Sequence, residues 1–86
     1  MSKEVELIFA RADNPSRRIS IRAHLDDDMV YYAIEAAKKL GFGPDEEFGL
    51  STPDGRPVRI VDRSVRDVVM SRGTVFTIAS RDMLGW

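Results

Sequence analysis

The sequence contains no cysteine and one histidine, His24. Disulfides, cysteine-ligated zinc and iron-sulfur clusters are thereby excluded, as is any site built from several histidines. No long apolar run is present; the longest, such as Leu7 to Ala10, have the length of a strand, which excludes a spanning helix and predicts no membrane insertion. No glycine-rich phosphate loop is present either: Gly41-Phe42-Gly43 and Pro53-Asp54-Gly55 are turns without the following lysine and helix. Charge of one sign is also lacking. Residues 1–43 hold seven acids and seven bases, and residues 44–86 seven and six, for a net charge of -1. Neither half has the basic excess of a nucleic-acid footprint. These absences predict a soluble, cytoplasmic, non-enzymatic protein with no metal and no cofactor. Lysine is scarce, at three residues against ten arginines, a bias that points to a partner surface only where the arginines converge on one face.

With 86 residues the chain is read as one domain, residues 1–86. A domain of this size buries only about 60% of its unfolded surface, so each core residue matters. Val5, Leu7 and Phe9 alternate with Glu6, Ile8 and Ala10, the period of a strand. Asp13-Asn14-Pro15-Ser16 is a turn cluster. Ile19, Ile21 and Ala23 then alternate with Ser20 and Arg22, so the two runs predict a β-hairpin with one buried face. Asp26-Asp27-Asp28 precedes Met29 to Leu40, where Met29, Tyr32 or Ala33, Ala36 and Leu40 recur at helical spacing. Asp28 is the expected N-cap and Gly41 the expected left-handed stop. Glu35 and Lys39 form an i, i+4 pair.

Beyond the helix, Phe48 to Ser51 and Val58 to Val61 predict short strands around the Pro53-Asp54-Gly55 turn. Val65 to Met70 reads as a loop with a single helical turn, and Thr74 to Ala79 as the last strand, with Phe76 and Ile78 on one face. The expected core is Val5, Leu7, Phe9, Ile19, Ile21, Met29, Ala33, Ala36, Leu40, Val65, Phe76 and Ile78. A hairpin, a crossing helix and a late apolar strand predict an α+β, two-layer domain. Its mixed four- to five-stranded sheet carries one main helix on one face, and the last strand lies beside the first, the β-grasp arrangement.

The order of weaker signals carries a resemblance. Gly41 followed by Pro44-Asp45-Glu46-Glu47, then Arg63-Ser64-Val65-Arg66-Asp67-Val68, then Thr74 to Ala79 and the final Leu84-Gly85, is similar to the corresponding run of the ubiquitin-like β-grasp family. The resemblance covers nearly the whole chain and includes the prokaryotic ubiquitin-like small proteins. It departs from ubiquitin at the end, where Leu84-Gly85 stands for the glycine pair and Trp86 follows. The resemblance implies a tail over about residues 81–86. It also implies a recognition patch centred on Leu50, with Thr77 and Ala79 beside it and Arg59 and Arg81 flanking.

Two functions from different classes follow from the resemblance. One is a monomeric, noncovalent adaptor that binds a larger protein through Leu50, Arg59, Thr77, Ala79, Arg81 and Trp86; an accessory subunit of an oxidoreductase complex is a variant of it. The other is a covalently conjugated modifier or sulfur carrier, matured by removal of Trp86 so that Gly85 becomes the conjugated end. His24, beside Asp26 to Asp28, is the only candidate base for catalysis, and no convergent nucleophile accompanies it in the sequence.

Overall fold

A computed structural model describes residues 3–80. The elements are β1 (Glu4–Arg11), β2 (Arg18–His24), α1 (Met29–Lys39), β3 (Phe48–Ser51), β4 (Pro57–Val58), α2 (Val65–Arg72) and β5 (Val75–Ser80). One mixed sheet runs in the order β2-β1-β5-β3-β4. Only the central β1/β5 pair is parallel; β1/β2, β3/β5 and β3/β4 are antiparallel. A parallel pair needs a crossover, and α1 with the chain that follows supplies it. The architecture is α+β, in the β-grasp arrangement.

Alternation in the sequence decides which face is buried. Leu7 and Phe9 of β1, Ile21 and Ala23 of β2, and Phe76 and Ile78 of β5 join α1 residues Met29, Ala33, Ala36 and Leu40 in one cluster. Leu7, Phe9, Met29, Phe76 and Ile78 are essentially sealed from solvent. The Phe9 and Phe76 rings lie 5.5 Å apart on neighbouring central strands. Val5 and Ile19, expected in the core, are only partly buried against it. Tyr32, Ala37, Phe42, Leu50, Val58 and Val68 complete the core.

The turn of the hairpin is closed by Arg11 N–H donating to Arg17 O at 3.0 Å and Arg17 N–H to Asn14 O at 2.9 Å. The α1 C-terminus ends as expected at Gly41, with φ +92°. The Gly41 amide donates to Lys38 O at 3.1 Å and the Phe42 amide to Ala37 O at 2.9 Å, so the last carbonyls are satisfied by a left-handed Schellman turn. Arg11 reinforces this end. Its guanidinium donates to Leu40 O at 2.6 Å, forks onto Asp13 at 2.9 and 3.0 Å, and lies 4.3 Å from the Phe42 ring centroid.

Three local expectations are corrected. Asp28 does occupy the N-cap position of α1, but its carboxylate makes no capping bond. The start of the helix is held instead by the backbone: Met29 N–H donates to Arg63 O at 2.9 Å, Val65 N–H to Asp27 O at 2.8 Å and Arg66 N–H to Leu25 O at 2.9 Å, around an Asp28–Ser64 bridge. Second, Val65 to Arg72 is an eight-residue helix rather than a single turn, because the Ser64 hydroxyl accepts from Asp67 N–H at 3.1 Å and caps it. Val65 and Val68 face the core, while Met70 is exposed. Third, β4 is shorter than expected. Val61 is exposed, and a turn with Asp62 at φ +59° leads the chain away from the sheet.

Candidate functional site

Both helices place their buried residues in the same core cluster, so the other sheet face carries the alternate residues of each strand. The pairing registers define that face. Ala10 lies opposite Thr77, and Thr77 opposite Ser51; Ala79 lies opposite Gly49; Ile8 lies beside Val75. The centre of this open face is therefore made of small side chains, with Ile8 and Val75 as its larger apolar members. Arg18 pairs with Ala10 across the β1/β2 edge and Arg22 with Glu6.

Leu50 does not belong to this face, which corrects the expected patch. It lies opposite Ile78 in the β3/β5 register, points into the core and is 5% exposed. The reason is the strand period of two: Phe48 and Leu50 face inward, so Gly49 and Ser51 face outward with Ala79 and Thr77. The expected grouping of Leu50 with Thr77 and Ala79 mixes the two faces.

In place of a protruding leucine the open face has a depression of about 480 Å³, lined by Gly49, Leu50, Ser51, Gly55, Pro57, Val58 and Ala79. A Cβ added at Gly49 meets nothing within 4 Å, and the residue lacks the positive φ that would demand glycine. The missing side chain therefore makes room without being required by the backbone.

Arg59 lies apart from this depression. It lines a separate pocket with Arg63, Ser71 and Arg72, on the α2 side of Val58. Arg81, Gly85 and Trp86 lie outside the described residues. A scan of protein-family models and a search of curated proteins both return no match for this chain. The open face and the arginine pocket thus rest on their geometry. Thr77 and Ala79 of the expected patch do lie on the open face, and the Phe48-Gly49-Leu50-Ser51 alternation marks Gly49 and Ser51 as their neighbours; the arginine pocket has no local signal in the sequence.

The titratable groups around the entry to α1 are tied into the fold. His24 is exposed; its Nε2 lies 3.4 Å from Glu4 Oε2, and the residue also shares a surface pocket with Asp27, Asp28, Tyr31 and Tyr32. Asp26 accepts from Arg66 at 3.0 Å, and that bond holds its carboxyl below the usual carboxylate range. Asp27 accepts from the buried Tyr32 hydroxyl at 2.6 Å, and that hydroxyl accepts from the His24 amide at 3.2 Å. The aspartate triplet thus divides its work: Asp26 ties down α2, Asp27 anchors α1 through Tyr32, and Asp28 starts the helix. Among the described residues no three His, Asp or Glu side chains form a metal-binding group, and no helix is long and apolar enough to cross a membrane.

Burial pushes the Tyr32 phenol above its ordinary range, and the bond to Asp27 adds to the shift. A raised folded pKa means that the neutral phenol contributes stability fully below the unfolded tyrosine value of about 10, and loses it as pH rises through the folded value. The urea midpoint should therefore fall between about pH 9 and about pH 11 in the parent, and fall less in Tyr32→Phe, which has no phenol to ionise. Equal falls in the two proteins would remove Tyr32 as the alkaline trigger.

Proposed function

We propose that this chain is a ubiquitin-like, non-catalytic interaction module that docks noncovalently on a larger protein through the open face of its sheet. The observation that carries this reading is the small-residue centre of that face, with the unfilled depression over Gly49. A flat apolar face bordered by polar residues suits a protein contact, and a depression at its middle suits one anchoring side chain of the partner. Thr77 remains a contact residue in this reading, joined by Ile8, Val75 and Gly49; Ala79, itself buried, floors the face between them, and Leu50 supports it from beneath. In this reading the module acts as a cytoplasmic monomer.

Gly49→Val tests the proposal. Valine has room, and replacing a strand glycine should leave stability unchanged or raise it by about 0.5 to 1 kcal/mol. The same branched side chain fills the depression. Once a stoichiometric partner is purified from the native host, its affinity for Gly49→Val should drop about tenfold or more, the scale of losing one anchor. A partner that binds parent and variant alike, while both melt as expected, would exclude the open face as the docking surface.

A further inference from the structure

Four arginines of this domain have an acidic partner within ion-pair reach: Arg11 with Asp13, Arg22 with Glu4, Arg56 with Asp54 and Arg66 with Asp26. Arg17, Arg18, Arg59, Arg63 and Arg72 form no ion pair among the described residues; Arg17 and Arg18 lie on the hairpin, whereas Arg59, Arg63 and Arg72 line one pocket of about 200 Å³. Arg59 follows β4, Arg63 precedes the Ser64 cap, and Arg72 ends α2, so three separate stretches bring them together. The Ser71 hydroxyl in the lining donates to Asp67 O at 2.9 Å and leaves the anion-binding donors to the arginines, and the buried Val58 and Val68 supply an apolar inner wall.

Nearby acids do not account for the cluster. Asp54 is bonded to the Thr52 hydroxyl and paired with Arg56; the field of Arg72 reaches it, but no ion pair forms between them. Asp62 and Asp67 flank Arg63 and begin α2, yet neither forms an ion pair with the three arginines. The C-terminal dipole of α2 favours Arg72 alone. Like charges gathered without compensation oppose one another, and the folded domain gains nothing visible from the arrangement. A ligand of opposite charge would make it favourable. The guanidinium fork matches carboxylate geometry, and an apolar wall beside it favours a chain with an aliphatic residue next to its acids. Three arginines on an otherwise balanced surface are too few for a nucleic-acid track.

We propose that the Arg59–Arg63–Arg72 pocket binds an acidic segment of a partner protein, placing two or more carboxylates on the guanidiniums and one aliphatic side chain against Val58 and Val68. This goes beyond the open-face reading and is independent of it. The pocket and the Gly49 depression adjoin across Val58, but separate substitutions test them.

The probe is the blocked tetrapeptide Glu-Leu-Glu-Glu, titrated into isotope-labelled full-length protein and followed by amide chemical shifts. The expected result is a saturable shift concentrated at Arg59, Arg63, Ser71 and Arg72, absent with Gln-Leu-Gln-Gln. Affinity should fall roughly tenfold in the double variant Arg59→Gln/Arg72→Gln, and fall again as salt rises from about 20 mM to about 300 mM. Both arginines are exposed and lack an ion pair, so the variant should melt like the parent. Gly49→Val should bind the peptide normally, which separates this pocket from the open face. Shifts spread over Arg17, Arg18 and Arg22, no saturable shift, or affinity unchanged in the double variant would overturn the proposal. Inorganic phosphate at equal ionic strength should bind more weakly than the peptide. Equal or tighter phosphate binding at the same residues would replace the peptide site with a phosphate site.

Discussion

Truncating Phe76 to alanine should remove a large share of this domain's stability. Phe76 lies on β5, the strand between β1 and β3, with no solvent exposure and with the Phe9 ring 5.5 Å away. A buried phenylalanine replaced by alanine costs about 3 to 5 kcal/mol, because the transfer energy is lost and a cavity remains. A domain of 86 residues holds a total stability of roughly 4 to 13 kcal/mol at ordinary per-residue values. With a urea slope near 1 kcal/mol per molar for so small a protein, the midpoint should fall by about 3 to 5 M, or as far as the parent's own midpoint allows. Phe76→Leu keeps most of the volume and should fall by about 1 M. A shift of less than about 1 M for the alanine variant would place Phe76 outside the core.

A pair of glutamate substitutions on adjacent residues should give opposite results. Leu50→Glu puts a carboxylate among Ile78, Val58 and the rest of the core, where no cation waits for it. Its cost should exceed the roughly 2 to 5 kcal/mol of a leucine truncation, since the charge must be desolvated or protonated as well as the packing lost. No folded protein is expected at neutral pH. Ser51→Glu points to the open face and should change stability by about 0.5 kcal/mol or less. Far-UV circular dichroism and thermal melts of the two variants settle the register of β3. A folded Leu50→Glu beside an unfolded Ser51→Glu would mean that the strand is displaced by one residue.

The parts of the fold set by local patterning were legible in the sequence. The alternation of Val5, Leu7 and Phe9, the helical spacing from Met29 to Leu40, the stop at Gly41 and the inward pair Phe76 and Ile78 all follow from periods and turn chemistry within a few residues. The helix from Val65 to Arg72 was under-read because only Val65 and Val68 mark its inner face, too short a pattern to show a period. Asp28 was given a capping bond because its actual substitute, the Arg63 carbonyl, is distant in sequence. Leu50 was misplaced for a different reason. Its own strand alternates correctly, with Phe48 and Leu50 against Gly49 and Ser51, but the likeness to a known patch outweighed the pleat. The convergence of Arg59, Arg63 and Arg72 has no local signature, since it depends on how β4, the following loop and α2 meet.

The parallel pairing of β1 with β5 also bears on how the protein is made. Synthesis delivers β1, β2 and α1 first, and those segments already contain Leu7, Phe9 and Met29. Their principal partners, Phe76 and Ile78, arrive with the last described strand. A chain still held in the ribosome before that point has a hairpin and a helix but no closed core, and its apolar β1 edge is open to the wrong strand. Closure of the core therefore waits for β5, and its rate should be limited by joining β1 to a strand more than sixty residues away.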